Sequence, residues 1–196
     1  VDPAVGDAID RAAAMLSRAG YRVVEVPVPS MREGAELWRL ILGNEMRHTL
    51  VPLAERLGDP MIRAQLSNLL GGLPELDRAE WLTAYARRGD MLRAWQMFFA
   101  ETPLLLTANT WSLPMVDDYD QSPEFDSARF YAEVAPNLAQ PILGLPGMAV
   151  PMGLAGGIPV GVQLLGTRFS EPLLMSAAEV LERAQDPLDP VDPAQA

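Results

Sequence analysis

Few residue types able to do chemistry occur in this 196-residue chain. All 15 of its basic residues are Arg, it has no Cys, and its one His stands at position 48. It therefore offers no lysine for Schiff-base or Ser–Lys catalysis, no thiol nucleophile, and no paired imidazoles or thiolates for a zinc site. Carboxylates, hydroxyls and one imidazole remain, and we expect no metal and no cofactor.

His48 is the one imidazole that could act as a base. It follows Arg47 on a predicted helix, with Glu45 three residues before it. A general base must lie within hydrogen-bond reach of the proton that it removes, and the sequence indicates no serine or aspartate partner. We interpret His48 as a surface or capping residue.

The acidic stretch 117–122 invites comparison with a calcium loop. Counted from Asp118, that loop would have Pro123 where it needs Gly, and Arg129 where a bidentate Glu should close it. The calcium interpretation fails, and a solvated loop is favoured. A hydrolase built only from the carboxylates of Asp117–Asp120 remains an alternative, although the sequence assigns no partner acid.

Glycines are frequent between positions 144 and 157, but their spacing matches neither GxGxxG nor GxxxxGK[ST], and no GxSxG elbow occurs. We interpret them as turn residues. Of the four tryptophans, Trp111 follows a predicted strand directly, at the kind of loop where open α/β sheets bind ligands.

Charge and composition exclude several classes of partner. A net charge of −11 disfavours nucleic acid and anionic membranes. The uncharged run 134–167 is divided by five prolines and seven glycines, so we expect interior strands and tight loops there rather than a membrane-spanning helix. Without cysteine or a recognisable signal peptide, the chain is expected to be cytoplasmic. Its first residue, Val1, suggests a cut N-terminus.

Helices and strands alternate in the elements that must position these residues. The predicted helices are 2–19, one that begins after Ser30 and is stopped or kinked at Pro52, 60–70, 77–101 and 171–183. The predicted strands are 21–28, 104–109, 148–152 and 160–165, the last two joined by a turn at Gly156-Gly157. These elements predict an α/β fold, a mixed β-sheet flanked by helices. We divide the chain into a helix-strand unit (1–30), a helical segment (31–101), sheet strands with the final helix (102–184), and an extended tail (185–196).

The region from Asn137 to Leu174 resembles the C-terminal end of the amidase signature family. The residues that carry the resemblance are GLPGMAVPMGL at 144–154, GIPVGVQLLG at 157–166, and Phe169 with EPLL at 171–174. Weaker similarity at 1–29 and 186–193 extends it over essentially the whole chain. The resemblance implies the C-terminal part of an α/β/α fold.

Members of that family hydrolyse amides, or transfer ammonia from them, with a Ser nucleophile, a bridging Ser and a Lys base in their N-terminal half. No position of this chain matches those residues, so no catalytic residue is carried over and the chain is expected to be inactive alone. The resemblance implies a small-molecule amide as the substrate of the full-length protein. It also indicates Asn109, Thr110 and Trp111 as a substrate-pocket wall, although the family commonly has a Pro near Asn109. Packing against the missing half is an equal alternative for these three residues.

Two further hypotheses follow. The rival to an amidase portion is a stand-alone, non-catalytic binding protein on half of an amidase scaffold. In either case, half of a fold should expose the apolar face that packs against the other half. We therefore expect a homodimer, or an exposed apolar patch that promotes non-specific association.

Overall fold

The computed structural model describes residues 1–186, so the predicted extended tail at 185–196 lies outside the described residues from position 187 onward. In chain order, the elements are α1 Pro3–Arg18, α2 Met31–Leu57, α3 Pro60–Leu70, α4 Arg78–Glu101, β1 Leu104–Thr107, a 3-10 turn Tyr119–Gln121, α5 Ser127–Glu133, α6 Ala135–Leu143, β2 Gly147–Ala155, β3 Ile158–Gly166 and α7 Glu171–Arg183. None of these helices has the length and apolar character needed to cross a bilayer.

The sheet of the described residues has three strands in the order β1-β3-β2, and both pairings are antiparallel. β2 and β3 form the predicted hairpin, and its turn uses Gly156 and Gly157 at φ +57° and +85°, values that favour glycine. The α/β class is confirmed. Parallel neighbours of the kind that a mixed sheet requires are not found among residues 1–186.

Alternating residues of β3 build two cores, one on each face of the sheet. Val162 and Leu164 face α1 and α7, where they pack with Leu16 and Leu181. Leu165 belongs to the second core, which α2, α4 and α6 cover. Successive side chains of a strand point to opposite faces, so β3 contributes to both cores. The sheet lies between two layers of helices.

Side-chain caps begin α1, α2 and α4. The Asp2 carboxylate accepts a hydrogen bond from the Ala4 amide at 2.8 Å, and the Ser30 hydroxyl accepts one from the Glu33 amide at 3.1 Å. Asp77 and Glu80 form a reciprocal capping box at the start of α4. These contacts satisfy amides that the first turn of a helix leaves without partners.

The structure corrects three predictions. The valine-rich segment 21–28 is not a strand, because no neighbouring strand among the described residues forms a ladder with it. Of the two outcomes predicted at Pro52, a stop is wrong, because the helix that begins after Ser30 continues to Leu57. Helix α6 occupies residues predicted as strands and loops; Pro136 fits its first turn, where a missing amide costs nothing.

Candidate functional site

The loop that follows β1 carries the three residues predicted as a pocket wall, and backbone contacts hold it in place. The amide of Trp111 donates to the carbonyl of Glu133 at 2.7 Å, and the Trp111 carbonyl accepts from the Asp2 amide at 2.8 Å. The Asn137 amide group donates to Asn109 Oδ1 at 3.0 Å. This loop is therefore fixed to the start of α1, the end of α5 and the first turn of α6.

A pocket of about 320 Å³ opens between this loop and the hairpin. Its polar lining comes from Asn109, Thr110 and Ser112, and the Thr110 hydroxyl is already committed to the Ser112 carbonyl at 2.8 Å. The other lining residues are Val5, Leu113, Pro114, Ala149, Val150, Pro151, Pro159, Val160, Gly161 and Val162. Because no lining side chain is charged, this surface can orient an uncharged molecule but holds no acid or base to react with it.

Trp111 does not line the same pocket as its two neighbours. It lines a second, larger opening, and the guanidinium carbon of Arg32 lies 5.5 Å from the centre of its ring. We call this opening the strand cleft; its walls are residues 21–32 and β1, and its volume is about 1160 Å³. The structure thus brings Asn109 and Thr110 together and separates Trp111 from them.

The other candidates of the sequence lie away from both openings. His48 is exposed on α2. The acidic stretch is docked on α3, because the Gln65 side chain donates to the Asp120 carboxylate and Asn68 donates to the carbonyls of Asp120 and Ser122, each at 3.0 Å. In the described part of the chain, no group of three acidic, His or Cys side chains is placed to hold a metal.

Among residues 1–186, three titratable groups have a pKa clearly shifted from the ordinary value, and none of the three lines either opening. The Ser122 hydroxyl lowers the pKa of the exposed Glu124 carboxyl. The hydrogen bond to Glu133 raises the pKa of Arg129. Burial raises the pKa of Tyr131, whose hydroxyl donates to the carbonyl of Leu69 at 2.9 Å. These groups support loops and helices rather than a proton-transfer site.

Sequence reasoning missed one buried polar pair beside the sheet. The Gln163 side chain is buried in β3 and donates to the Gln140 side chain, which in turn donates to the carbonyl of Leu145 at 3.2 Å. A single Gln in an otherwise apolar strand was the available signal. The pair fixes the Gly144–Gly147 connection against β3. Gly144 is also the first residue of the segment 144–154, which carries the resemblance to the amidase signature family.

Comparison with known proteins agrees with the fold. The family model named Amidase matches residues 1–175. Over 187 residues the chain is 37% identical to the indoleacetamide hydrolase of Bradyrhizobium diazoefficiens, covering 93% of this chain and 35% of that protein. A glutamyl-tRNA(Gln) amidotransferase subunit from Streptococcus thermophilus is 24% identical over 209 residues, and the match covers 95% of this chain and 42% of that protein.

The chain also matches only part of each solved structure that resembles it. A 6-aminohexanoate cyclic dimer hydrolase superposes with a TM-score of 0.73 at 18% identity, covering 94% of this chain and 42% of that one. A bacterial aryl acylamidase of the amidase signature enzymes gives 0.72 at 19% identity, covering 94% and 41%. The chain therefore spans well under half the length of these relatives, and the predicted fold class is confirmed.

Proposed function

The chain belongs to the amidase family, and we propose that it is the C-terminal portion of a hydrolase that cleaves carbon–nitrogen bonds in non-peptide amides. The observation that carries the proposal is the family match over residues 1–175 in a chain that contains no lysine. The catalytic Ser–Ser–Lys set would lie in polypeptide outside these residues. An amide hydrolase among the relatives, 37% identical, supports the reaction class.

In this proposal the described residues supply scaffold and pocket rather than chemistry. The pocket that Asn109 and Thr110 line has a volume of about 320 Å³. It lies at the small end of the usual range for ligand sites, which begins at about 300 Å³. Its lining is apolar apart from Asn109, Thr110 and Ser112, and it suits the uncharged acyl or amine part of a small amide. We assign Asn109 and Thr110 to substrate positioning and assign Trp111 to packing in the strand cleft.

The first experiment assays the purified 196-residue chain alone. Aryl and aliphatic amides, including indole-3-acetamide, are expected to release no ammonia above the buffer control, because a catalytic Lys base cannot come from this chain. Reproducible turnover that follows the chain through two unrelated purification steps would contradict inactivity. A carboxylate-only hydrolase would lose such turnover in Asp120→Asn.

The second experiment reads the coding DNA on the 5′ side of the Val1 codon. An in-frame Ser- and Gly-rich segment with an earlier Lys is expected. A start codon close to Val1 would instead favour the rival, a stand-alone binding protein. The specific observation behind that rival is the presence of two packed cores and a formed pocket in these residues.

Location and partners are part of the same proposal. The cysteine-free composition supports a reducing, cytoplasmic compartment. The charge of −11 supports a small uncharged substrate over nucleic acid or an anionic membrane.

A further inference from the structure

Asn109 supplies a hydrogen-bond donor to the small pocket between its loop and the β2–β3 hairpin. Its Oδ1 accepts from the Asn137 side chain at 3.0 Å, which sets the orientation of the Asn109 amide group. The Nδ2 group of Asn109 makes no hydrogen bond within residues 1–186. Because an amide nitrogen donates and does not accept, Asn109 has a donor to offer to a molecule in the pocket that it lines.

Thr110 supplies the complementary acceptor. A hydroxyl has one proton and two lone pairs, and the proton of Thr110 is already donated to the Ser112 carbonyl at 2.8 Å. Toward any further partner, Thr110 Oγ1 can therefore only accept. One donor and one acceptor thus come from consecutive residues that line the same pocket.

The rest of the lining is suited to saturated carbon. Apart from Asn109, Thr110 and Ser112, the pocket is lined by aliphatic side chains and one glycine, Gly161. The aromatic ring next along the chain, Trp111, lines the strand cleft instead. Such walls bind a compact aliphatic group by removing its surface from water.

A neutral carboxamide is the functional group that satisfies both polar residues at once. Its carbonyl oxygen accepts and its N–H donates. A ketone or an ester has the acceptor but no donor. A carboxylate would bring a charge into a lining that holds no cation to pair with it.

We propose that this pocket is a subsite for an uncharged carboxamide group other than the one that is cleaved. Asn109 Nδ2 donates to its carbonyl oxygen, Thr110 Oγ1 accepts from its N–H, and the aliphatic walls hold the attached carbon frame. The substrate class that follows is an aliphatic diamide, with one amide in this pocket and the other at the catalytic residues. The inference deepens the proposed function and rests on it, since that function places the catalytic residues outside this chain.

The lining itself indicates that an amide held here is not the reacting one. The Ser112 hydroxyl is a lining group, but a serine nucleophile needs a base within hydrogen-bond reach, and no lining residue is a base. The bond that is cleaved must instead present its carbonyl oxygen to donors beside the nucleophile. In the proposed function that nucleophile belongs to other polypeptide, so the amide bound by Asn109 and Thr110 is a second one.

The first test compares two small probes of nearly the same shape. Pivalamide and pinacolone share a tert-butyl carbonyl frame and differ in carrying an amino or a methyl group. Each is titrated into the isotope-labelled 196-residue chain, and NMR shift changes give the dissociation constant and the residues affected. Pivalamide is expected to bind about tenfold more tightly, because only it can donate to Thr110, and both probes should shift the signals of residues 109 and 110.

Three substitutions assign the two hydrogen bonds. Thr110→Val removes the acceptor and should bring the two probes within about twofold of each other, whereas Thr110→Ser keeps the hydroxyl and the preference. Asn109→Asp still accepts from Asn137 but replaces the donor with a carboxylate oxygen, and it should weaken both probes by about tenfold. Protected amides in β3 confirm that each variant is folded.

Several outcomes would overturn the subsite. They are equal affinity of the parent chain for the two probes, shifts that bypass residues 109 and 110, and the absence of saturable binding. A preference for pivalamide that survives Thr110→Val would also remove Thr110 from the recognition of the N–H group.

The second test uses the polypeptide that the upstream DNA encodes together with this chain. Asn109→Asp should lower kcat/KM by about tenfold for the best substrate in a series of aliphatic α,ω-diamides, and by less than about twofold for pivalamide. Equal losses on the diamide and the monoamide would contradict a second amide site. If that polypeptide hydrolyses no amide while the isolated chain still prefers pivalamide, the proposed function fails and carboxamide recognition stands.

Discussion

Two irregular segments of similar length differ in how their backbone is satisfied. The first, Gly71–Asp77, connects α3 to α4, and side chains from α2 hold it. Buried Asn44 donates to the Pro74 carbonyl at 3.0 Å and accepts from the Leu76 amide at 2.9 Å, while Arg39 donates to the Gly71 carbonyl at 3.0 Å. The second segment, Arg22–Pro29, receives no such partner from the described residues.

This difference separates a loop that side chains hold in place from a segment whose backbone makes no hydrogen bond with the described residues. Buried backbone groups without partners are costly, so a folded chain supplies side chains where no ladder is available. The 71–77 connection has such side chains. The 22–29 segment has valines at its surface instead, and valines cannot replace hydrogen bonds.

The largest expected effect is at Asn44. Asn44→Ala removes three side-chain hydrogen bonds and leaves the Leu76 amide and the Pro74 carbonyl without their partner. The free energy of unfolding should fall by about 3 kcal/mol, measured by urea denaturation. Its control, Arg22→Ala in the unpaired segment, should change it by less than about 0.5 kcal/mol. Equal losses in the two variants would remove the distinction between the segments.

A smaller loss is expected at Arg47, which donates to the carbonyl of Leu73 and, at 3.4 Å, to that of Leu70. Arg47→Met keeps most of the apolar stem and should lower the free energy of unfolding by about 1.5 kcal/mol, because a charged donor is lost from part-buried carbonyls. The exposed Arg56→Met should cost about 0.5 kcal/mol through the helix dipole. If Arg56→Met lowered the free energy of unfolding as much as Arg47→Met, the hydrogen bonds from Arg47 would not be what stabilises the 71–77 connection.

Tyr131 packs against Arg39, which also bonds to the 71–77 connection, and its ionisation makes the free energy of unfolding depend on pH. Burial raises its pKa above the ordinary 10.0, an effect that Arg39 partly offsets. The folded state therefore holds the phenol proton more tightly than the unfolded chain. The resulting stabilisation is present below pH 10 and is lost as the pH rises through the folded pKa.

Tyr131→Phe should lose about 1 kcal/mol at neutral pH with the hydrogen bond to Leu69. Above pH 10, its stability should depend less on pH than that of the parent. Thermal unfolding on both sides of pH 10 measures this. The exposed Tyr85, whose hydroxyl makes no hydrogen bond among the described residues, gives the neutral-pH control Tyr85→Phe, expected to match the parent. A steeper pH dependence in Tyr131→Phe than in the parent would reverse the assigned sign.

The smallest expected effect is at Val24, whose side chain is half exposed and whose backbone is unpaired. In the isolated chain, Val24→Thr should change the free energy of unfolding by less than about 0.5 kcal/mol. Val162 is a fully buried position of β3. There, Val162→Thr should cost about 2 kcal/mol because it buries a hydroxyl. Denaturant curves compare the two variants, and a large loss at Val24 would show that the segment is already packed.

The sequence predicted local structure better than pairing. The β2–β3 hairpin could be predicted because its turn glycines and both its strands are close together in the chain. The alternating valines of 21–28 predicted a strand, but pairing depends on residues elsewhere in the fold, and the strand prediction was wrong for the described residues. Two prolines did not end a helix: α2 continues past Pro52, which excludes the predicted stop there, and Pro136 sits in the first turn of α6.

The candidate site was only partly predictable for a geometric reason. The family resemblance indicates Asn109, Thr110 and Trp111, three consecutive residues, as one wall. In the folded loop, the first two line the small pocket and the third lines the strand cleft. No periodic pattern in an irregular loop predicts such a division, whereas in a strand the alternation of faces would have done so.

Residue-resolved amide hydrogen exchange of the isolated chain tests the central claim most directly. The account predicts that the amides of Val24, Val26 and Val28 exchange at the rate of an unstructured peptide, while the Leu76 amide, bonded to Asn44, and the amides that join β1 to β3 are protected. Protection of the three valine amides comparable to that of Leu76, in the monomeric chain, would mean that this segment already has its partner and would contradict the account.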